Sequence, residues 1–131
     1  MTQKEKSIRK FLIDLAKNNK TIFYNELNVK LALNYDFSIK EDYDKFRKEL
    51  STILNYEIKF NRPFLTIIVL STKINPGYRI PIPSDGFYKI LKRKHLFSDD
   101  TNRKVFYEKQ RERLFDFWGN PKNYEEHKDF K

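Results

Sequence analysis

The stretch Arg62-Pro63-Phe64-Leu65-Thr66-Ile67-Ile68-Val69-Leu70 decides how this chain is read. Pro63 pushes Arg62 out of the helical region, so any helix upstream ends there. The seven residues Phe64 to Leu70 are apolar on both faces, with Thr66 the one interruption. Such a run, bounded by breakers and far short of the ~20 residues that span a bilayer, predicts a strand buried on both faces.

Upstream the spacing is helical. Ile8, Phe11, Leu12, Leu15 and Ala16 form one apolar stripe. Thr2 or Ser7 is placed to cap this helix, and Lys17-Asn18-Asn19-Lys20 to end it. Thr21-Ile22-Phe23 is too short for a helix and is β-prone. A second helix is predicted from Tyr24 to Leu33, with Leu27 and Leu31 one turn apart. Ser38 with Glu41 three residues later reads as a capping box. It opens a third helix through Tyr43, Phe46, Leu50, Ile53 and Leu54, ending between Tyr56 and Phe60.

Downstream, Ser71 to Pro83 reads as a loop or hairpin arm. Asn75-Pro76-Gly77 is its turn, and Pro81 and Pro83 confine it to a sheet edge. Ser84 is placed to cap a helix to Lys94, with Phe87, Ile90 and Leu91 buried and Lys92-Arg93-Lys94 complementing its C-terminal dipole. Asp99-Asp100-Thr101 opens the last long helix, along which Phe106, Gln110, Leu114, Phe117 and Trp118 share a face. Gly119-Asn120-Pro121 stops it, and residues 122–131 read as a polar, flexible tail.

Composition narrows the function classes. The chain has 131 residues, twelve Phe, eight Tyr and no Cys. A disulfide framework, thiolate catalysis and Cys-based zinc sites are therefore excluded. The N-terminus Met1-Thr2-Gln3-Lys4-Glu5-Lys6-Ser7 has no apolar segment behind it, so a cytoplasmic protein without membrane contact is expected. Net charge is +9. Residues 1–60 hold 12 basic and 9 acidic side chains, and residues 61–131 hold 15 and 9. An excess of this kind favours a polyanion. Abundant Lys, Asn, Ile, Phe and Tyr, which AT-rich codons favour, is the competing explanation.

The sequence of elements carries a resemblance. Thr21-Ile22-Phe23-Tyr24-Asn25-Glu26-Leu27 resembles the segment that leads into the second helix of many winged-helix domains. Arg62-Pro63-Phe64-Leu65-Thr66-Ile67-Ile68-Val69, followed by Asn75-Pro76-Gly77 and Gly86-Phe87-Tyr88, resembles a signature of small proteins of bacteria and their phages, "R-P-x-L-T-x-x-V" before a "P-G-x-G-F" turn. Here Tyr78 to Asp85 separates the two halves of that turn. A weaker likeness is to the winged-helix half of alkylguanine-DNA alkyltransferases, whose reaction needs a Cys that this chain lacks. The resemblance spans residues 5–95. It implies a winged-helix-like α+β domain over residues 1–121: a three-helix core, a short sheet and two further C-terminal helices. It also implies a mobile-element or phage-related origin.

Constellations for chemistry are sparse. His95 and His127 are the two histidines, and no pair has zinc spacing. With three Gly in all, a phosphate-cradling loop is not expected. Asp42 and Asp44 point to different sides of a helix, and Asp99-Asp100 reads as a helix start. Glu57-Ile58-Lys59 matches part of a nuclease core, but on a helix rather than a strand. Basic residues interleaved with aromatics remain. The candidate nucleic-acid contacts are Arg79, Tyr88, Lys89, Lys92, Arg93 and Lys94 on the arm and the following helix, with Lys45 and Lys48 on the third helix. The reading is a non-enzymatic nucleic-acid-binding module with no cofactor and no metal. Two alternatives stand beside it: a protein-interaction module for a host or phage defence system, with aromatics including Trp118 as an exposed hot spot, and a small basic RNase-type toxin.

Overall fold

The computed structural model describes residues 1–72 and 80–129. In chain order these form α1 (Gln3–Lys17), β1 (Ile22–Phe23), α2 (Tyr24–Lys30), α3 (Lys40–Lys59), a 3-10 helix (Leu65–Ile68), β2 (Val69–Leu70), α4 (Asp85–Arg93), α5 (Arg103–Gly119) and α6 (Pro121–His127). The winged-helix expectation is overturned. Among the described residues the protein is a helical assembly of six α-helices with one sheet of two strands, each two residues long. The strands run parallel, Ile22 beside Val69 and Phe23 beside Leu70, so no antiparallel wing is present among them.

The misread element is the Phe64–Leu70 run. It is buried throughout, as its composition requires. Its first part, Leu65–Ile68, however, packs against α1, α3 and α5, and only Val69–Leu70 meets a strand. A buried extended segment must pair its backbone, and Ile22–Phe23 offers only two residues of ladder. The segment therefore pairs within itself. The Ile67 amide donates to the Phe64 carbonyl at 3.1 Å, and the Val69 amide donates to the Thr66 carbonyl. Leu65, Ile67 and Ile68 are fully enclosed, each contributing roughly 1.5–3 kcal/mol. The centre of the core is a 3-10 turn wrapped by three helices.

Local capping sets the helix bounds. Thr2 and Glu5 form the capping box of α1, Thr2 Oγ1 accepting from the Glu5 amide at 3.1 Å. Ser38 does not cap α3. Its hydroxyl and amide both donate to Asp36, at 2.6 and 2.9 Å, and these bonds hold the Asp36 carboxyl below the usual carboxylate range. Helix α3 begins instead after Ile39. Four helices end on a left-handed residue: Asn19 after α1, Ala32 after α2, Asn61 after α3 and His95 after α4, with φ between 49° and 59°. In each, the next amide closes back onto the helix, for example Lys20 to Leu15 at 2.9 Å and Leu96 to Leu91 at 2.8 Å. That is the expected way to satisfy terminal carbonyls.

A buried ionic triad ties the ends of the chain together. Glu57 is 0% exposed, Arg9 2% and Arg62 9%. The Glu57 carboxylate accepts from Arg9 at 3.3 and 3.4 Å and from Arg62 at 3.3 and 2.7 Å. The remaining donors of Arg9 reach the carbonyls of His127 at 2.8 Å and Lys128 at 3.0 Å. They cap the C-terminus of α6, which lies within the segment read from sequence as a polar tail. Tyr124 fixes the other side of α6. Its hydroxyl accepts from Lys10 at 2.7 Å and donates to Asp14 at 2.8 Å. No helix among the described residues is long and apolar enough to cross a membrane.

Candidate functional site

One cleft of ≈ 200 Å³ opens between α3 and α4, where β2 leaves the core. Its floor is apolar: Phe46 and Leu54 from α3, Val69 and Leu70 from β2, Phe87 and Ile90 from α4. Tyr24 and Tyr43 stand at one side, ring centroids 6.5 Å apart and nearly perpendicular. Three cations line the rim, Arg47 and Lys48 from α3 and Arg93 from α4, against one carboxylate, Asp44. All four are exposed, and none forms an ion pair among the described residues.

The helices place these groups by periodicity. Asp44, Arg47, Lys48 and Ser51 recur at three and four residues, so they share a face of α3. Gly86, Ile90 and Arg93 do the same on α4. Arg47 bridges the two helices. On one side its guanidinium carbon lies 5.6 Å from the Tyr43 ring centroid. On the other it lies so close to Gly86 that an added Cβ would meet Nη2 at 2.8 Å and Nε at 3.2 Å. Glycine at position 86 thus makes room for a cation against the first turn of α4. That turn lends its own positive field, and the Ser84 hydroxyl, also in the cleft lining, makes no capping bond.

The sequence-derived candidates divide. Lys48 and Arg93 meet in the cleft. Lys45, Lys89 and Lys94 are exposed but do not line it. Lys92 is paired with Asp99 beyond the end of α4. Tyr88 is 2% exposed, with its ring packed 5.2 Å from Phe87 and 5.0 Å from Phe97 and lying beneath Arg103. It is a core residue, because the second apolar position of α4 turns toward α5 and not toward solvent. Arg79 and the turn Asn75-Pro76-Gly77 lie outside the described residues. Arg47, one of the basic residues of the third helix, is absent from the candidate contacts derived from sequence. Its signal is only relational: a Tyr four residues earlier and a Gly on a helix distant in sequence.

Burial and pairing place the other singled-out residues. Trp118 is fully buried, so it offers no exposed hot spot. The exposed apolar side chains Val29, Ile39, Phe60, Leu96 and Val105 are spread over different elements. Glu57 of the nuclease-like triplet is enclosed by two guanidinium groups. His127 stacks on Phe117 at 5.8 Å. Among the described residues no group of three or more His, Asp or Glu could hold a metal ion. No protein-family model, curated protein or solved structure matches the chain.

Proposed function

We propose that this chain binds nucleic acid, and that the cleft between α3 and α4 takes the phosphates. One observation carries the reading: Arg47, Lys48 and Arg93 converge from two helices on one cleft with no carboxylate partner among the described residues. Arg9, Arg62, Lys92 and Arg103, by contrast, each face a carboxylate; what distinguishes Arg47, Lys48 and Arg93 is that they share one concave surface. Unmatched cations held at a concave surface are the electrostatic footprint of a polyanion site. The overall charge of +9 acts in the same direction over longer range. Binding rests on phosphate contacts, so sequence preference is weak and salt dependence strong.

A salt titration of binding tests this. Log affinity falls with log salt by about 0.9 per phosphate contact on a duplex and about 0.7 on a single strand. The triple change Arg47→Ala, Lys48→Ala, Arg93→Ala therefore removes a slope of roughly 2 to 2.7. No binding at 50 mM salt to any strand or duplex would refute the proposal.

A further inference from the structure

The cations at the rim account for phosphate, but they leave the rest of the cleft unused. Its floor is apolar, and a hydrated phosphate gains nothing by lying against Phe46, Leu54 and Leu70. A duplex presents the cations with its backbone alone, since its bases are stacked on one another. An unpaired nucleotide satisfies both parts at once. We infer that the cleft accommodates one unpaired nucleotide, its base against Tyr43 and the apolar floor and its phosphate on Arg47, Lys48 and Arg93. The inference rests on the nucleic-acid reading above and narrows it to single strands.

Three observations support it. The volume of ≈ 200 Å³ is below the ~300–1,000 Å³ typical of a drug-sized pocket. A cleft of that size suits a small ring system such as a single base. Second, Tyr43 is half-buried in an aromatic group, 6.1 Å from Phe37 and 6.5 Å from Tyr24, both edge-on. A ring so held is a stacking platform that loses little entropy on binding, and stacking of bases on such rings tolerates any sequence. Third, the Arg47 guanidinium carbon lies over the same Tyr43 ring, 5.6 Å from its centroid, which sets a cation against the ring that a base would meet. Base and phosphate are thus read by neighbouring residues of one helix turn.

The test compares three labelled ligands by fluorescence anisotropy at 50 mM salt, a twelve-nucleotide oligothymidylate, an abasic strand of the same length and a twelve-base-pair duplex, and adds competition of the oligothymidylate with thymidine monophosphate or inorganic phosphate. The thymidylate strand is expected to bind at least tenfold tighter than the abasic strand and than the duplex. Tyr43→Leu, which keeps apolar volume and loses the ring, should erase that tenfold preference and leave the salt slope unchanged. Displacement by the monophosphate at concentrations where inorganic phosphate has no effect also supports the inference, with a free nucleotide as one source of the ligand. Equal affinity for thymidylate and abasic strands, or a duplex bound as tightly as the single strand, overturns it and leaves the phosphate site standing. Absence of binding to all three overturns both.

Discussion

Replacing Glu57 by Gln is the sharpest probe of how this fold is held together. The carboxylate is inaccessible to solvent and pairs with two guanidinium groups that are themselves 2% and 9% exposed. Gln preserves volume and can still accept one bond, so packing is kept while the charge is lost. Two cations then remain in the interior. Arg9 retains the carbonyls of His127 and Lys128 and the rings of Tyr56 and Trp118 nearby. Arg62 retains contact with the rings of Tyr56 and Phe60. These partners lessen the penalty without cancelling it. Removing one member of a buried ion pair costs about 3–5 kcal/mol, a large share of the roughly 5–15 kcal/mol that holds a domain folded. With a urea m-value of about 2 kcal/mol/M, the midpoint falls by roughly 1.5–2.5 M. The companion variant, with Arg9, Glu57 and Arg62 all changed to Met, separates charge from packing. It should lie much closer to wild type than Glu57→Gln, because apolar replacements of a whole buried network are often neutral. A Glu57→Gln loss below about 1 kcal/mol, or a triple variant as unstable as the single one, would refute the reasoning.

Gly86→Ala should leave thermal stability unchanged or slightly raised, since the clash is with the mobile end of Arg47 and Ala is the better helix former by up to about 1 kcal/mol; it should nevertheless weaken nucleic-acid binding severalfold by displacing that guanidinium. Ala32→Gly should stabilise the protein by about 0.5–1 kcal/mol in urea titrations, because Ala32 has φ 49° where Gly is unstrained. Ser38→Ala should raise the Asp36 carboxyl titration toward that of an ordinary Asp, followed by NMR, since both Ser38 donors hold it down and one would be lost.

Much of the fold is legible in short-range chemistry. The α1 stripe, the Thr2 cap, the Asn18-Asn19 stop and the Gly119-Asn120-Pro121 break all lie where residue type and spacing put them. These features depend on neighbours within one turn. The Phe64–Leu70 run fails because apolarity on both faces reports burial and not conformation; what decides between strand and 3-10 turn is how much partner strand exists, and that partner, Ile22–Phe23, is far upstream and two residues long. The buried triad was half visible. Glu57 falls at the next step of the Leu50, Ile53, Leu54 stripe, and Arg9 lies one turn before Ile13 on a helix otherwise buried on that face. A charge on an apolar stripe points to a partner, but its identity requires the fold. The cleft was legible in its parts, Lys48 and Arg93, and not in their meeting. Arg47 gains significance only from Gly86, and Tyr88 loses it because the aromatics of α4 and α5 close over it.

The proposed function comes down to whether the three rim cations carry phosphate binding. Fluorescence anisotropy with a labelled oligonucleotide between 50 and 200 mM salt, for wild type and for the triple Arg47→Ala, Lys48→Ala, Arg93→Ala variant, measures this directly. Wild type should bind tightly at low salt, and the variant, still folded by circular dichroism, should show a log–log slope shallower by roughly 2. Identical affinities and slopes for the two proteins would contradict it.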